Sequence, residues 1–504
     1  MFSGVGQGVQ FGGLAEALGA RGFEPGINTL QDWDDFIKAV QTGDPNLLDT
    51  KGTWTGIPAI RLESLDATLR AVTERQDTFK LWRRIQKNKV NSSVYEWSTK
   101  TGIGGDLGSA FHSEFSDIRQ DKTQYIRDVL RIKYLMAGAE ITVAANLQNT
   151  VTDQKAEENE SATLRILRDV EWSLFYGSEG VIPQQFDGIK TILERDYPTH
   201  VFDLDGSSDT DLLYRSVYEA FGLVLGSEGG YGRITDLCIS PIVQNDLDLF
   251  LHPQWRVRLE GRDSNDINYG APVRGIATSY GDINLMQDVW LEEGDYKHIT
   301  APATIRVGGT ISTNAPVAPA NFTVTPQAST AGSKFTGTRG GVYYYAAASI
   351  NEKGEGPLTS IVAATIPAGG SADLAVTPNA NADQTGFVIY RSQQDPAVTP
   401  TATDLRIVKR VANPNPASPS DVLNFSDLNA DIPGASTGFI LEFIAESMAW
   451  SQLLPLMQFP LYPTSKASYP WAVLLFGALQ LAIPKRHWMF KNYIPKASNW
   501  KPHT

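Results

Sequence analysis

The stretch TDQKAEENESATLRILRDVEWSLFYG, residues 152–177, is the clearest helix in the sequence. Asp153, Glu157, Glu158 and Glu160 crowd its start, where the helix dipole favours negative charge. Leu167, Val170 and Leu174 then recur at helical spacing and form one apolar face. Gly177 is placed to end the helix in the left-handed conformation. A helix of this length runs about 37 Å at about 1.5 Å per residue. It is a scaffold element, and the rest of the chain is read outward from it.

Downstream, DLLYRSVYEAFGLVL (211–225) carries Leu213, Val217, Phe221 and Val224 on one helical face. ITDLCIS (234–240) reads as a buried strand. Ser240-Pro241 then opens the helix PIVQNDLDLFL, with serine as N-cap and proline in the first turn. Helix, strand and helix in close succession suggest an α+β layer. GIATSYGDINLMQDVWL (275–291) reads as two strands around a glycine turn.

Upstream, residues 1–60 are rich in Gly and Asp and hold no sustained period; they read as an arm with short pieces such as the amphipathic LQDWDDFIKAV (30–40). Residues 61–90 are helical early and basic late, with Arg75, Lys80, Arg83, Arg84, Lys87 and Lys89 close together. Such a run is either a solvated face or an arm that docks on an acidic partner surface. VYEWSTKTGIGGDLGSAF (94–111) fits a long β-hairpin or loop.

Near residue 302 the composition shifts to Ala, Thr, Pro, Gly and Ser, and near 436 the earlier character returns. Strand candidates between them are NFTVTP (321–326), GVYYYAAASI (341–350), SIVAATIPA (360–368), GFVIYRS (386–392) and LRIVKRV (405–411). Their spacing is that of an all-β sandwich inserted into another domain. The flank resumes with WAVLLFGALQLAI (471–483), a buried strand or pair of strands; its 13 residues are too few for a membrane-spanning helix, which needs about 20.

With 504 residues, about two to four domains are expected. The formal charge of −13 argues against DNA binding through a broad basic face. The single cysteine, Cys238, leaves no internal disulfide framework and reads as a small buried hydrophobe. No secretory signal is evident at the start, so a soluble protein made in a cytoplasm is expected. The six histidines form no zinc-protease pair, and His112 with Glu114 is a coincidence of proximity. Asp203, Asp205, Asp209 and Asp211 partly suggest a calcium loop, but Asp209 and Asp211 are better explained by helix capping. GSEGGYGR (226–233) follows a helix, where a phosphate cradle follows a strand. No catalytic, cofactor or metal site is expected.

The order of pieces resembles the major capsid protein of tailed bacteriophages, the HK-97-type shell fold. The resemblance rests on the extended segment KVNSSVYEWSTKTG, the long helix 152–176, QQFDGIKTIL (184–193), the helix ahead of DLCISPIVQNDLDLFL, and the late strands in GAPVRGIATSYGDINLM and PWAVLLFGALQLAIPKRHWMFKN. It implies an α+β fold with N-arm, extended loop, spine helix, and peripheral and axial domains. The insert resembles fibronectin type III or immunoglobulin-like domains through Tyr343, Tyr345, Ala347, Asn351, Gly354 and Ser360. Its GFVIYRS strand follows this pattern where the usual order puts it first, so the insert reads as permuted or as a related sandwich. The expected divisions are an arm (1–90), capsid fold (91–301), insert (302–435) and capsid fold again (436–504).

The resemblance implies a structural protein and not an enzyme, self-assembling as hexamers and pentamers into an icosahedral virion shell around double-stranded DNA. Assembly would take place in the bacterial cytoplasm, with scaffolding, portal and decoration proteins as further partners and no membrane. The basic residues Arg75–Lys89 are expected to meet Asp153–Glu160 on the same or a neighbouring subunit. The insert is expected to protrude from a surface loop, to be removable without loss of assembly, and to stabilise neighbours or hold host-surface glycans. A phage tail or adhesin protein and a polysaccharide-active enzyme with an accessory sandwich are the alternatives; the first would show internal repeats, the second a catalytic frame.

Overall fold

The computed structural model describes residues 75–108, 110–118, 120–147, 153–251, 275–291, 315–379, 384–415, 421–463, 466–498 and 500–503. The amphipathic segment 30–40 and the early helical part of 61–90 lie outside them. A short helix α1 (Lys80–Arg84) leads into β1 (Gln86–Lys89), then β2 (Val94–Gly102), β3 (Gln124–Arg131) and β4 (Lys133–Thr142). One turn of helix, α2 (Val143–Asn146), precedes the long helix α3 (Gln154–Tyr176). The first α/β layer follows as α4 (Ile189–Asp196), β5 (Val201–Asp203), α5 (Thr210–Leu225), β6 (Asp236–Ile239), α6 (Pro241–Leu251), β7 (Gly275–Thr278) and β8 (Gly281–Gln287). Eight strands come next: β9 (Asn321–Gln327), β10 (Gly341–Asn351), β11 (Gly354–Leu358), β12 (Val362–Ile366), β13 (Ser371–Thr377), β14 (Gly386–Arg391), β15 (Arg406–Ala412) and β16 (Leu423–Asp427). The last four are β17 (Ser436–Leu441), β18 (Met448–Pro460), β19 (Ser468–Leu481) and β20 (Trp488–Tyr493).

Helix α3 begins as its sequence dictates. The Asp153 carboxylate accepts the Lys155 N–H at 3.0 Å, satisfying one of the donors a helix start leaves free. Its end departs from expectation: Gly177 has φ −57° and ψ 147°, which is not left-handed. Glycine is needed there for close approach, since a Cβ would lie 2.4 Å from the Phe186 carbonyl oxygen and 2.6 Å from that of Ser173. Ile166, Val170, Leu174 and Phe175 bury one face of α3 with Trp450, Trp471, Val473 and Leu475 in the largest core. Those four come from β18 and β19, a long hairpin in the sheet β1-β18-β19-β4. The apolar run at 471–483 is therefore a single strand, and Gly477 lets the Trp450 indole cover it, at 2.5 Å from where a Cβ would stand.

The second core lies under a six-stranded sheet in the order β5-β20-β17-β6-β8-β7. Leu213, Val217, Phe221 and Val224 of α5 pack there, as their spacing predicts. Asp209 caps α5 by accepting the Asp211 N–H at 3.0 Å, and Ser240 accepts the Val243 N–H at 3.4 Å at the start of α6. Strands β17 and β20 sit between β5 and β6, although about 200 residues separate β6 from β17 in sequence. This sheet is complete only when the chain returns after residue 435.

Between these halves stand two further sheets, β11-β10-β14-β15 with β12 also on β10, and β16-β13-β9. Phe322, Tyr343, Tyr345, Leu374, Phe387 and Ile389 from both sheets share one core. The two sheets thus form a sandwich. The segment 94–111 holds only the first strand of its hairpin; β2 pairs with β3 across the long loop 103–123.

Candidate assembly surfaces

The hairpin β2–β3 forms a two-stranded sheet of its own. Its connecting loop carries Ile103, Leu107, Phe111, Phe115 and Ile118, each more than 80% exposed. Large apolar side chains gathered on one extended element mark an interaction surface rather than ordinary surface scatter. Composition gave no sign of them, because a glycine-rich segment with isolated hydrophobes has no period.

The six basic residues are placed unequally. Arg75, Arg83, Arg84, Lys87 and Lys89 are exposed and Lys80 is half-buried. Arg84 pairs with the buried Asp236 carboxylate at 3.2 Å. Lys87 donates to the Trp82 carbonyl at 2.7 Å and covers that residue's ring at 4.4 Å. Asp153, Glu157, Glu158 and Glu160 are all exposed at the far start of α3. Among the described residues no ion pair joins the two groups within the chain.

Instead, the segment 79–85 docks further along α3. Phe79, Leu81 and Ile85 are buried, and Phe79 stacks on Trp290 with ring centres 5.8 Å apart. The Glu171 carboxylate accepts the N–H groups of Leu81 at 2.7 Å and Trp82 at 2.8 Å, holding the start of α1. Glu171 is itself fully buried, as is Asp288. Asp288 Oδ1 accepts the Trp290 N–H at 2.9 Å, while its Oδ2 meets no donor among the described residues. Burial and mutual repulsion push the Glu171 carboxyl well above its ordinary range, and burial pushes up Asp288. Two acids buried side by side in this way resist being ionised together. Sequence reasoning missed both; the available signal was Glu171 standing four residues after Leu167 on the apolar face of α3.

The sandwich joins the body more closely than a peripheral insert would. Its larger sheet has two buried faces: opposite the sandwich core, Ala346, Ala348, Ile350 and Val388 pack with Val181 and Ile182 from the loop after α3. Polar ties surround this patch. Lys334 bonds Asp203, Arg339 meets Asp205 at 2.8 Å, and Lys409 and Lys491 flank Asp431 at 3.2 and 2.8 Å. The Arg410 guanidinium lies 4.7 Å from the centre of the Trp172 ring on α3. Asp203 is thereby committed to Lys334 and to Asn492, which donates to it at 2.7 Å. Removing the insert would therefore uncover apolar surface, which the expectation of a freely removable insert did not include.

Among the described residues no group of His, Cys, Asp and Glu is arranged to hold a metal, and no helix is long and apolar enough to cross a membrane. Cys238 is buried in the main core.

No family model matches the chain. Curated relatives are nevertheless found along nearly its whole length. The major capsid protein of Staphylococcus phage S25-3 is 24% identical over 474 residues, covering 91% of this chain and 95% of that one. The major capsid protein of Staphylococcus phage K shows the same identity and the same coverage. Solved structures of similar course include the capsid of a native GTA particle, at 8% identity and TM-score 0.44 over 87% of this chain and 97% of that one. The capsid of Myoviridae Phage XM1 aligns at 10% identity and TM-score 0.42, over 85% of this chain and 96% of that one. The extended hairpin, the long helix and the two sheets completed by the returning chain stand in the order of the HK-97-type shell fold. Over nine-tenths of its length the chain is thus similar in sequence to the major capsid proteins of phages.

Proposed function

We propose that the chain self-assembles as hexamers and pentamers into an icosahedral shell that encloses double-stranded DNA, and that it does so in the bacterial cytoplasm without catalysing a reaction. The observation that carries this reading is the exposure of Ile103, Leu107, Phe111, Phe115 and Ile118 on the hairpin's connecting loop, an apolar set that suits the surface of a neighbour. The net charge of −13 suits a wall that does not adhere to packaged DNA. Replacing Phe111 and Phe115 together by Ser is expected to leave the subunit folded, since neither contributes to its core. Sedimentation should then show subunits or small rings where the parent forms shells. Shells in parental yield from that variant would overturn the role of the loop.

The division into arm (1–90), capsid fold (91–301 and 436–504) and insert (302–435) is part of the same proposal. So is the insert as a permuted fibronectin type III-like sandwich that decorates the outer surface. Its support is the placing of the tyrosine-rich β10 between β12 and β14, antiparallel to both.

The basic arm and the acidic helix start are proposed to meet between subunits, since within the chain they stand apart. Arg83 tests this cleanly, because Arg84 also serves Asp236. Arg83→Glu is expected to lower shell yield several-fold at low salt with unchanged subunit melting. Equal yields at low and high salt for parent and variant would remove Arg83 from the contact.

A further inference from the structure

We propose that residues 494–498 and 500–503 form an acid-released strap that fastens the inserted sandwich to the body of the subunit. The strap starts on the body. The Ile494 N–H donates to the Ser207 carbonyl at 3.0 Å, and the Lys496 N–H donates to Asp246 at 2.8 Å. Midway, the Trp500 ring lies against Gly434, where a Cβ would approach it to 2.4 Å, and the Arg406 guanidinium of the sandwich sits 5.1 Å from its centre. The strap finishes on the sandwich, where the Pro502 carbonyl accepts the Gln394 N–H at 3.1 Å.

His503 completes the fastening, and its partners fix its protonation. The Tyr343 hydroxyl gives its proton to the Arg339 carbonyl at 2.7 Å. Towards His503 Nδ1, 3.3 Å away, it is therefore an acceptor, and Nδ1 carries a hydrogen. On the other side, the Asn429 carboxamide oxygen takes Arg391 Nη2 at 2.6 Å, which turns its NH₂ towards His503 Nε2 at 3.4 Å. Nε2 must accept. A protonated ring would set an N–H against an NH₂ and place a cation beside Arg391 and Arg339.

The charges facing the ring come from several elements. Arg391 on β14 is fully buried and bonded to Asp427 at 2.6 Å; Arg339 precedes β10; Asp395 follows β14 and binds the Val342 N–H. Tyr345, also on β10, donates to Asp427 at 2.9 Å. Asp427, the carboxylate bonded to Arg391, is thereby already committed to a cation. Burial, followed by Arg391 and Arg339, lowers the His503 pKa from 6.5 to about 3. A histidine depressed in this way stabilises the closed strap fully above pH 6.5 and loses that contribution as pH falls towards 3. Between pH 7.5 and pH 5 the closing equilibrium should weaken about 30-fold.

The test is amide hydrogen exchange on the full chain at pH 7.5 and pH 5, corrected for the intrinsic rate. Protection of 496–498 and 500–503 should fall about 30-fold at pH 5 while that of 166–175 in the main core holds. His503→Gln, which cannot titrate, should show equal strap protection at the two pH values. Trp500→Ala should loosen the strap at both and raise exchange at 181–182 under the sandwich. Equal protection of the wild-type strap at pH 7.5 and 5 would overturn the acid release, as would an unchanged pH response in His503→Gln. Unaltered exchange at 181–182 in Trp500→Ala would overturn the fastening role. None of these outcomes depends on shell assembly.

Discussion

Deleting residues 316–435 and closing the gap with a short linker should yield an aggregating chain rather than a shell without its decoration. Val181 and Ile182, 6% and 2% exposed, would lose their cover. Each such side chain returned to water costs about 1.5–3 kcal/mol. The deletion also takes Lys334 and Arg339 from Asp203 and Asp205, Asp431 from Lys491, and Arg410 from the Trp172 ring. The strap would lose the surface on which its second half rests. A domain holds a net stability of only about 5–15 kcal/mol, so these losses together approach the whole. Adding Val181→Ser and Ile182→Ser to the deletion separates causes, because it removes the exposed apolar patch without restoring the insert. Recovery of soluble protein in that variant would assign the failure to the uncovered patch. A soluble, normally melting chain from the deletion alone would show that the junction carries no stability.

The parts of the fold legible in the sequence were those decided locally. The apolar face of α5, its Asp209 cap, and the Ser240-Pro241 start of α6 follow from spacing and end chemistry, and the structure shows each of them. Among the described residues, the strands β9–β16 pair only among themselves. What periodicity could not supply was partners. The return strand of the hairpin lies 22 residues beyond β2, from Gly102 to Gln124, because nothing in the intervening glycine-rich loop fixes its length. The role of Gly177 was misread, since a left-handed helix end and a close backbone crossing demand the same residue. Where the basic arm docks within its own chain was hidden for a related reason. Charge complementarity pointed to the exposed start of α3, whereas burial of Phe79, Leu81 and Ile85 decides where the arm goes within the chain. Glu171 serves that docking from inside the core, where no charge pattern reveals it.

That buried acid gives the arm a pH dependence of definite sign. Folding places Glu171 and Asp288 together and raises both above their ordinary values of 4.5 and 3.8. A raised carboxyl contributes stability that is complete below its unfolded pKa and is lost as pH rises through its folded one. Holding one proton more than the unfolded chain, the folded subunit should lose about 1.4 kcal/mol per pH unit across that window. Lys80 beside Asp288 and Lys87 beside Glu171 moderate the loss. The buried neutral histidines have the opposite sign: His487, lowered to about 3, costs stability only below pH 6.5. Comparing wild type with Asp288→Asn from pH 6.5 to 9 isolates the carboxyl pair, because the alkaline loss from the buried Cys238 thiol, also pushed up by burial, is common to both. The wild type should weaken steadily with pH, with exchange at 79–85 rising before that of the helix core. Asp288→Asn replaces one of the two ionisable groups with a permanent amide beside Glu171, which keeps its bonds to Leu81 and Trp82. Its melting should fall less over the same range and exceed the wild type most at the alkaline end. Parallel curves for the two proteins would mean that the acids hold no extra proton and that the arm is held by apolar packing alone.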